Sequence, residues 1–366
     1  MTEHVAGLLI AMHTPLIGIV FWMTPSWSRP EHFFGVTVPA DFRDGALARD
    51  ILERFRRRVL IASVIAVTAS ALTVVWRPEA VLLLAVILFA QLGGFQWAFF
   101  TARRATLPFS LAPTSVRQAV VIRQREKLPG GLGLQLLPFV ILGVAAVVLA
   151  LGWERIPETL VTHWNARGEA DSWAEKSPLM AAAPLLVGAA LCVAMVILGH
   201  GISRWSRRVS VEGEAGRLEA RRHRATLYVL LASQIVIAVL FALISLMALV
   251  PAGAGSKAAV GAILFLSMGG SVVILVVVGI KAFPSTNVKA RADEAAVSGR
   301  PIGDRTPDAC WKLGMFYFNP DDPALFIEKR FGFGYDFNFA RPGAWAVLGM
   351  LVGLPLAMAL LVAWTG

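Results

Sequence analysis

The chain has 366 residues, of which 57% are hydrophobic and only 16% are charged, and its mean hydropathy is +0.66. These values exclude an ordinary soluble globular protein and indicate an integral membrane protein. The net charge is +10, but the basic loops contain no nucleic-acid-binding module, so direct nucleic-acid binding is not expected. Two cysteines form no disulfide framework in a chain of this length, and both are expected to be reduced.

Eight apolar stretches are long enough to cross a hydrocarbon core about 30 Å thick as helices. They cover residues 5–23, 59–76, 79–101, 133–152, 179–200, 226–250, 258–281 and 343–364. The predicted fold class is therefore an all-α polytopic membrane protein with about eight transmembrane helices. The first stretch lacks the positive flank and the cleavage site of a signal peptide, so it is expected to stay in the mature protein.

The distribution of basic residues predicts how the chain is oriented. The loops on one side of the predicted membrane hold 29 of the 34 Lys and Arg residues. Because cytoplasmic loops retain basic residues, this side is predicted to be cytoplasmic. Both termini and the loop at residues 153–178 are then predicted to be extracytoplasmic, in a plasma membrane.

The N-terminal region, residues 1–132, contains three predicted spans with polar side chains at membrane depth. His13 lies beside Pro15 in the first span, and Gln91 and Gln96 lie in the third. Such residues suggest a functional polar path. The preferred interpretation is that they form hydrogen bonds between packed helices, with neutral His13 bonding across a kink at Pro15.

Between the first two spans, residues 33–39 read F-F-G-V-T-V-P, and Arg54, Arg56, Arg57 and Arg58 run into the second span. Pro39 or Asp41 suits a helix start, so an interfacial helix is predicted, with its arginines at the membrane end. The arginines either bind anionic lipid headgroups or only anchor the helix by the positive-inside rule, and anchoring is the preferred interpretation.

The loop at residues 153–178 is a polar island between the fourth and fifth spans. Ser172 and Glu175 form the pattern of a capping box, which predicts a short helix. His163, Asn165 and Asp171 are predicted to form a hydrogen-bonded knot that fixes the loop shape. A zinc site needs three or four ligands, and this loop has one His and no Cys, so no metal or other cofactor is predicted.

Residues 282–309 have the composition of a linker, and a cytoplasmic β-meander is predicted at residues 310–342, before the last helix. Aromatic residues alternate strictly from Phe331 to Phe339, which predicts a strand with one aromatic face. A sheet this small cannot bury such a face by itself, so we expect it to lie against the membrane surface or helix ends. The Asp321/Asp322 pair sits between prolines, which favours a turn over a cation site.

Residues 156–176 carry the pattern I-P-x-x-L-V-T-H-W-N-x-x-G-E-x-D-x-W-x-x-K. It resembles the loop between two membrane helices in the N-terminal hairpin domain of SdpI-type immunity proteins, over about residues 135–200. The candidate ligand or loop-structuring residues in this stretch are His163, Asn165, Gly168, Asp171, Trp173 and Lys176. The resemblance implies a bacterial plasma-membrane protein that responds to an extracellular toxic peptide. In that family such proteins also signal inward by holding a transcriptional repressor at the membrane.

The stretch at residues 311–342 resembles a short uncharacterised domain that often accompanies the hairpin domain. The resemblance rests on W-K-x-G-x-F-Y-x-N-P-D-D-P, with the motif residues Trp311, Asn319, Pro320, Asp321, Asp322 and Pro323. No activity is implied by it. The second half of the SdpI pattern is not visible in this chain, and additional spans precede the hairpin domain.

The predicted organisation is an N-terminal three-helix region (1–132), the hairpin domain (133–200), a helix pair (201–281), the linker (282–309), the meander (310–342) and a last helix (343–366). The interior of the predicted spans lacks Asp, Glu, Lys and Arg, which argues against an ion-coupled transporter. Besides a toxin-response protein that binds a cationic peptide and a cytoplasmic repressor, two functions stay open. One is an uncoupled transporter or channel subunit that uses His13, Gln91 and Gln96, and the other is an outer-leaflet enzyme that uses His163 with Asp171. An enzyme is not the preferred interpretation, and no catalytic residue is assigned.

Overall fold

The computed structural model describes residues 5–29, 31–39, 41–77, 80–111, 128–164, 170–206, 213–250 and 306–365, together with residues 263, 269, 270 and 274. Within this part of the chain the long helices are α1 (Val5–Trp27), α2 (Ala46–Trp76), α3 (Val81–Thr106), α4 (Gly131–Leu151), α5 (Pro178–Trp205), α6 (Gly213–Leu246) and α7 (Pro342–Thr365). The strands pair as four antiparallel two-stranded sheets: β1 (His32–Phe33) with β2 (Val36–Thr37), β3 (Thr159–Trp164) with β4 (Ala170–Glu175), β5 (Trp311–Lys312) with β6 (Phe316–Tyr317), and β7 (Phe326–Glu328) with β8 (Tyr335–Phe337).

Five of the described helices, α2 to α6, contain segments long and apolar enough to cross a membrane. The chain is therefore a mostly helical multi-pass membrane protein. Helices α1 and α7 lie over the first and eighth predicted spans, while residues 258–281 fall almost wholly outside the described residues. The count of eight spans, the side of each terminus and the cell compartment stay predictions.

The membrane helices form two three-helix groups whose outer surfaces are apolar. Helices α1, α2 and α3 pack together, and so do α4, α5 and α6, with α7 against α5. Lipid tails are as apolar as leucine, so close packing rather than the hydrophobic effect holds such helices together. Small residues permit this: a Cβ at Gly94 would lie 3.3 Å from Ala62 Cβ, and a Cβ at Gly188 would lie 2.7 Å from Phe241 Cβ.

The segment between α1 and α2 differs from the predicted interfacial helix. Residues 32–37 form the β1–β2 hairpin, whose two turn residues, Phe34 and Gly35, have φ angles of 46° and 73°. Two consecutive positive φ angles are the requirement of a type I′ turn, which sequence periodicity does not reveal. A 3-10 turn follows, and extended Gly45 precedes α2, so the helix begins at Ala46 and not at Pro39 or Asp41.

The aromatic run from Phe331 to Phe339 is not one strand, so that prediction was wrong. Only Tyr335–Phe337 is extended as β8, because Gly332 and Gly334 have φ angles of 84° and 97° and interrupt the alternation. The rings therefore point to different neighbours. Phe331 packs against Phe34 and Phe99 in the core between β1, α2 and α3.

Residues 306–341, which we call the terminal module, contain the β5–β6 and β7–β8 pairs. An isolated parallel bridge between Tyr317 and Asn338 joins the two pairs. The module lies against helix ends: the ring of Phe333 is 5.5 Å from that of Trp27 at the end of α1, and Phe326 packs against Ile202 of α5 and Leu227 of α6. One end of the bundle thus carries the module.

Candidate functional site

The loop between α4 and α5 is a β-hairpin, and the short helix predicted from Ser172 and Glu175 does not form. Both residues lie in β4. Pairing with β3 provides hydrogen bonds for the backbone groups that a capped helix turn would otherwise have paired. Leu160 pairs with Ala174, and both are buried. Since side chains alternate along a strand, this pair defines the inner face of the hairpin, and Trp173 and Glu175 belong to the outer face.

The inner face of the hairpin packs against the three helices of the α4–α6 group. Ile156 and Leu160 are part of the core that Leu149 of α4, Ala181 of α5 and Ala242 of α6 form. The hairpin therefore sits at the end of the α4–α6 group, at the start of α5, with its inner face packed on these helices.

Lys176, a residue singled out by the sequence pattern, closes the base of the hairpin. Its backbone N–H donates to the Glu158 carbonyl at 2.8 Å, and its Nζ lies 3.5 Å from Glu158 Oε1 and 5.0 Å from the centre of the Trp153 ring. The Lys176 side chain is 10% exposed. Its role in the structure is to hold the two strand ends together, which leaves little of it free to contact a ligand.

The outer face of the hairpin offers an aromatic and acidic surface. Trp173 is 52% exposed and Glu175 is exposed on the same face, while Glu154, Arg155 and Glu158 are exposed near the base of the hairpin. The register of the strands shifts at His163, and the Thr162 hydroxyl donates to the Ser172 hydroxyl at 3.1 Å. Such a surface suits a ligand with positive charges and apolar side chains.

The proposed knot of His163, Asn165 and Asp171 lies largely outside the described residues. The backbones of His163 and Asp171 belong to β3 and β4, but their side chains are outside the described part, as are Asn165 and Gly168 entirely. The knot stays a prediction. Among the residues that the structure describes, no group of three or more His, Cys, Asp and Glu side chains is arranged to hold a metal ion.

The N-P-D-D-P motif of the terminal module forms a turn that is held by side chains. Asp322 is buried, and its Oδ2 accepts a hydrogen bond from the Tyr317 hydroxyl at 2.8 Å, while its Oδ1 accepts from the Ala324 N–H at 3.0 Å. The Asn319 Oδ1 accepts from the Asp321 N–H at 3.0 Å, as in an Asx turn. Pro320 and Pro323 flank the two aspartates in this turn.

A residue that the sequence did not single out, Asn338, holds the motif in place. Its side chain is fully buried, and its Nδ2 donates to the carbonyls of Asn319 at 2.8 Å and Asp322 at 3.0 Å. Its Oδ1 accepts from the Asn319 N–H at 3.0 Å. Because Asn338 stands in the aromatic run, its polarity was the only signal in the sequence.

Trp311, another motif residue, is buried against a buried arginine. The Trp311 Nε1 donates to Thr306 Oγ1 at 3.0 Å, and the Arg330 guanidinium lies 5.0 Å from the centre of the indole ring. Arg330 forms an ion pair with Asp308 and donates to the Thr306 carbonyl at 2.7 Å. The Asp308 carboxylate also accepts from the Thr37 hydroxyl of β2 at 3.0 Å, so this group of side chains fastens the module to the β1–β2 hairpin.

A second polar contact between the module and the helices is a buried ion cluster, formed by Arg29, Glu31, Glu219, Arg222 and Glu328. Arg29, just after α1, pairs with Glu328 of β7, and Arg222 Nε of α6 lies 3.0 Å from Glu328 Oε1 without hydrogen-bond alignment. Arg29 Nη1 is also 3.8 Å from Glu31 Oε1, and Arg29 Nη2 is 3.9 Å from Glu219 Oε1. Three separate segments of the chain therefore meet at the Glu328 carboxylate.

Electrostatics in this cluster favour the charged forms of Glu328 and Arg29. Burial acts to raise the pKa of Glu328, but the charges of Arg29 and Arg222 outweigh it and hold this pKa below its usual value. Burial likewise acts to lower the pKa of Arg29, while Glu328 and Glu219 hold it well above its usual value. Such pairing compensates for the loss of water around each charge.

Two titratable groups of β8, Tyr335 and Asp336, have pKa values that are raised. The Tyr335 hydroxyl of β8 lies 2.7 Å from His223 Nδ1, and burial together with Glu328 and Glu219 raises the Tyr335 pKa far above its usual value. Burial also raises the pKa of Asp336, and the positive charge of Lys329 offsets this effect only in part. Tyr335 therefore stays protonated as a hydrogen-bonding group.

Of the polar residues predicted at membrane depth, Gln91 joins two helices through hydrogen bonds. The Gln91 Nε2 donates to the Thr14 carbonyl at 2.8 Å, and the Thr14 hydroxyl donates to the Ala11 carbonyl at 2.7 Å. Pro15 has no N–H, so the carbonyl of Ala11, four residues earlier, accepts no backbone hydrogen bond from it. Gln91 thus links α3 to α1 at the residue beside His13. We find no described contact between Gln96 and this group.

Two domain families match parts of the chain. A domain of unknown function (DUF1648) matches residues 140–188, which cover the second half of α4, the β3–β4 hairpin and the start of α5. A family of unknown function (DUF5808) matches residues 320–345, from the Asp-containing turn to the start of α7. Comparisons with curated proteins and with solved structures find no match. The fold and these matches define a multi-pass membrane protein that carries two domains of unknown function, one at each end of α5.

Proposed function

We propose that this protein is a plasma-membrane protein of SdpI type that detects, or protects against, an extracellular toxic peptide. The observation that supports this most is the DUF1648 match, since that domain is present in SdpI-like proteins. The match falls on a hairpin that is anchored on three helices and has an exposed outer face.

The peptide is proposed to bind at the outer face of the hairpin. Trp173 and Glu175 are exposed there, and the carboxylates of Glu154 and Glu158 are exposed near the base of the hairpin. A cationic amphipathic peptide would place basic side chains near these carboxylates and over the indole ring. The positive-inside rule supports a position of the hairpin outside the cell.

The terminal module is proposed to report peptide binding inside the cell, where a repressor protein is the expected partner. Support comes from the course of α5, which begins at the hairpin and ends beside β7 of the module. A displacement of the hairpin would act on α5, because the inner face of the hairpin is buried against that helix.

A survival assay tests the function. We expect deletion of the gene to lower the inhibitory concentration of a synthetic amphipathic peptide of lysine and leucine, and complementation to restore it. The combined variant Trp173→Ala/Glu175→Gln should fail to restore it at equal protein level. Trp76→Ala is the matched control, since it removes another highly exposed tryptophan at the same predicted membrane surface, and it should restore survival.

Binding of the same peptide to the purified full-length protein in nanodiscs tests detection of the peptide directly, apart from any effect on survival. An analogue in which glutamine replaces lysine should bind at least tenfold more weakly if the carboxylates attract the peptide, since about 1.4 kcal/mol corresponds to that factor. Unchanged sensitivity on deletion, with no peptide binding, would exclude the immunity and sensing functions together.

Sidedness has its own test. In a variant without Cys192 and Cys310, Ser172→Cys should react with a membrane-impermeant maleimide in intact spheroplasts, because Ser172 is exposed on the hairpin. Lys312→Cys, which is exposed in the module, should react only after lysis. The reverse pattern would place the hairpin inside the cell and contradict the proposal.

A further inference from the structure

One face of α2 combines arginines with a lipid-exposed apolar stripe. Spacings of three and four residues place Arg54, Arg57, Ile61, Ile65 and Leu72 on the same side of the helix. Ile61 is 53% and Ile65 is 63% exposed, and Arg57 is exposed. The charged end of this face therefore continues directly into an apolar surface long enough to lie along acyl chains.

The next residue, Arg58, is held at the edge of this face by α3. Its guanidinium lies 4.8 Å from the centre of the Trp97 ring and donates to the Thr101 hydroxyl. Trp97 is 59% exposed, and tryptophan prefers the headgroup level of a bilayer. The Arg58–Trp97 pair thus marks where the hydrocarbon ends.

The surface of α3 beside this pair is also shaped for lipid. Phe89, Gly93 and Trp97 follow at intervals of four residues, so they share one face of α3. Phe89 is 71% exposed, and a Cβ at Gly93 would meet nothing within 4 Å. Gly93 leaves a depression between the two aromatic rings.

The arginines on this face have donors to spare. In the described part of the chain, Arg54 pairs with Asp50, but no carboxylate lies within ion-pair distance of Arg57 or Arg58. A guanidinium has five N–H donors and binds phosphate in a bidentate manner, and a single hydroxyl uses only one donor of Arg58.

We propose that this face is a binding site for an anionic phospholipid, whose headgroup phosphate is bound by Arg57 and Arg58. The acyl chains lie along Ile61 and Ile65 of α2 and beside Phe89 and Gly93 of α3. Charge complementarity identifies the ligand, because two arginines that form no ion pair with a carboxylate of the described residues lie at headgroup level above an apolar surface. The site is independent of the function proposed for the hairpin.

Titration of the full-length protein with dioleoylphosphatidylglycerol in detergent, followed by native mass spectrometry, tests the site. Each basic residue near an anionic lipid surface is worth about 1 kcal/mol, so we expect about fivefold weaker binding in Arg57→Gln or Arg58→Gln and about thirtyfold in the double variant. Dioleoylphosphatidylcholine should bind weakly to all forms.

Arg56→Gln is the matched control. Arg56 faces α1, with its guanidinium 4.2 Å from the centre of the Trp22 ring, and it carries the same charge one residue before Arg57. This variant should bind phosphatidylglycerol as the wild type does. An equal loss in Arg56→Gln, or no loss in the double variant, would show that the arginines only anchor the helix and would overturn the site.

A fluorescence measurement serves if the double variant does not fold. Phosphatidylglycerol brominated in its acyl chains should quench the wild type more than the brominated phosphatidylcholine does, and Trp97→Phe should remove that difference. A difference that persists in Trp97→Phe would place the lipid elsewhere and reject the site.

Discussion

Ser206, the residue that caps the C-terminus of α5, forms a parallel β-bridge with Phe326 of β7. The helix that ends there begins at Pro178, directly after the hairpin, and its 28 residues span about 42 Å at a rise of 1.5 Å per residue. One continuous helix therefore connects the DUF1648 hairpin to the DUF5808 module. The two domains of unknown function are thus in contact with opposite ends of the same helix.

Gly201→Ala should weaken the contact between α5 and the module. A Cβ at this position would lie 3.0 Å from Phe326 Cε2 and 3.3 Å from Trp205 Cε3, and Phe326 is itself buried. Overpacking of this kind costs about 1–3 kcal/mol. We expect faster hydrogen exchange at β7 and β8 with unchanged exchange at β3 and β4.

Gly199→Ala is the control for Gly201→Ala. Its Cβ would lie 3.6 Å from Leu128 Cδ2, an ordinary contact, and it gains the same helix propensity of about 1 kcal/mol. The variant should keep wild-type exchange at β7. Equal exchange in the two variants would mean that Gly201 does not limit the contact between α5 and the module.

The pair of Arg29 and Glu328 should be the strongest polar contribution to docking of the module. Both side chains are 10% exposed, and removing one partner of a buried pair costs about 3–5 kcal/mol. Glu328→Gln should therefore lower the melting temperature in detergent markedly. The double variant Arg29→Met/Glu328→Leu should be less destabilised than the two single losses added together.

An exposed pair on α2 provides the comparison for Glu328. Arg54 and Asp50 are 45% and 56% exposed, and exposed pairs contribute about 0.5 kcal/mol. Asp50→Asn should leave the melting temperature nearly unchanged. A similar small effect for Glu328→Gln would mean that the ion cluster does not stabilise the module.

Stability should depend on pH through Glu328. Its folded-state pKa is lower than its unfolded value of about 4.3, because Arg29 and Arg222 outweigh the effect of burial. The contribution is fully present above the unfolded pKa and is lost as the pH falls through the folded pKa. Melting temperatures of the wild type and Glu328→Gln should differ most at neutral pH and converge as the pH falls below the unfolded value. A difference that is constant with pH would contradict this assignment.

Asp336→Asn should change the melting temperature in the opposite direction to Glu328→Gln. Burial raises the pKa of Asp336 in the folded protein, so its charged form is disfavoured and its contribution to stability falls as the pH rises through that pKa. The amide has no such penalty, and its oxygen still accepts from the Phe337 N–H, 2.9 Å away in the wild type. We expect a higher melting temperature at neutral pH, with the gain disappearing below the unfolded pKa of about 3.9. Destabilisation at neutral pH would show that the Asp336 charge is needed.

The sequence predicts the membrane helices well because their signal is local. Twenty apolar residues identify a span whatever the neighbours are, and five of the predicted spans coincide with described helices that fit a membrane. The resemblance of residues 156–176 also directed attention to the segment that DUF1648 matches.

The short strands were harder to predict because a few residues decide them. Ser172 and Glu175 suit a helix cap, but pairing with β3 and burial of Ala174 favour a strand instead. In the aromatic run, Gly332 and Gly334 adopt positive φ angles that the alternation of Phe residues conceals. The ion cluster was not predicted at all, because Arg29 and Glu328 are about 300 residues apart in the chain and each has the appearance of an ordinary loop charge.

Gly35→Ala should separate the module from the β1–β2 hairpin. Gly35 has a φ angle of 73°, and a Cβ there would overlap the carbonyl of Gly314 in the module. The backbone strain alone costs about 1–2 kcal/mol, and the overlap adds to it. Gly131→Ala isolates the strain, because Gly131 has a φ angle of 62° with nothing within 4 Å of a Cβ. We expect Gly35→Ala to lower the melting temperature more than Gly131→Ala and to expose β5 and β6 to hydrogen exchange. Equal losses, with β5 and β6 still protected, would mean that the contact between Gly35 and Gly314 contributes nothing to docking.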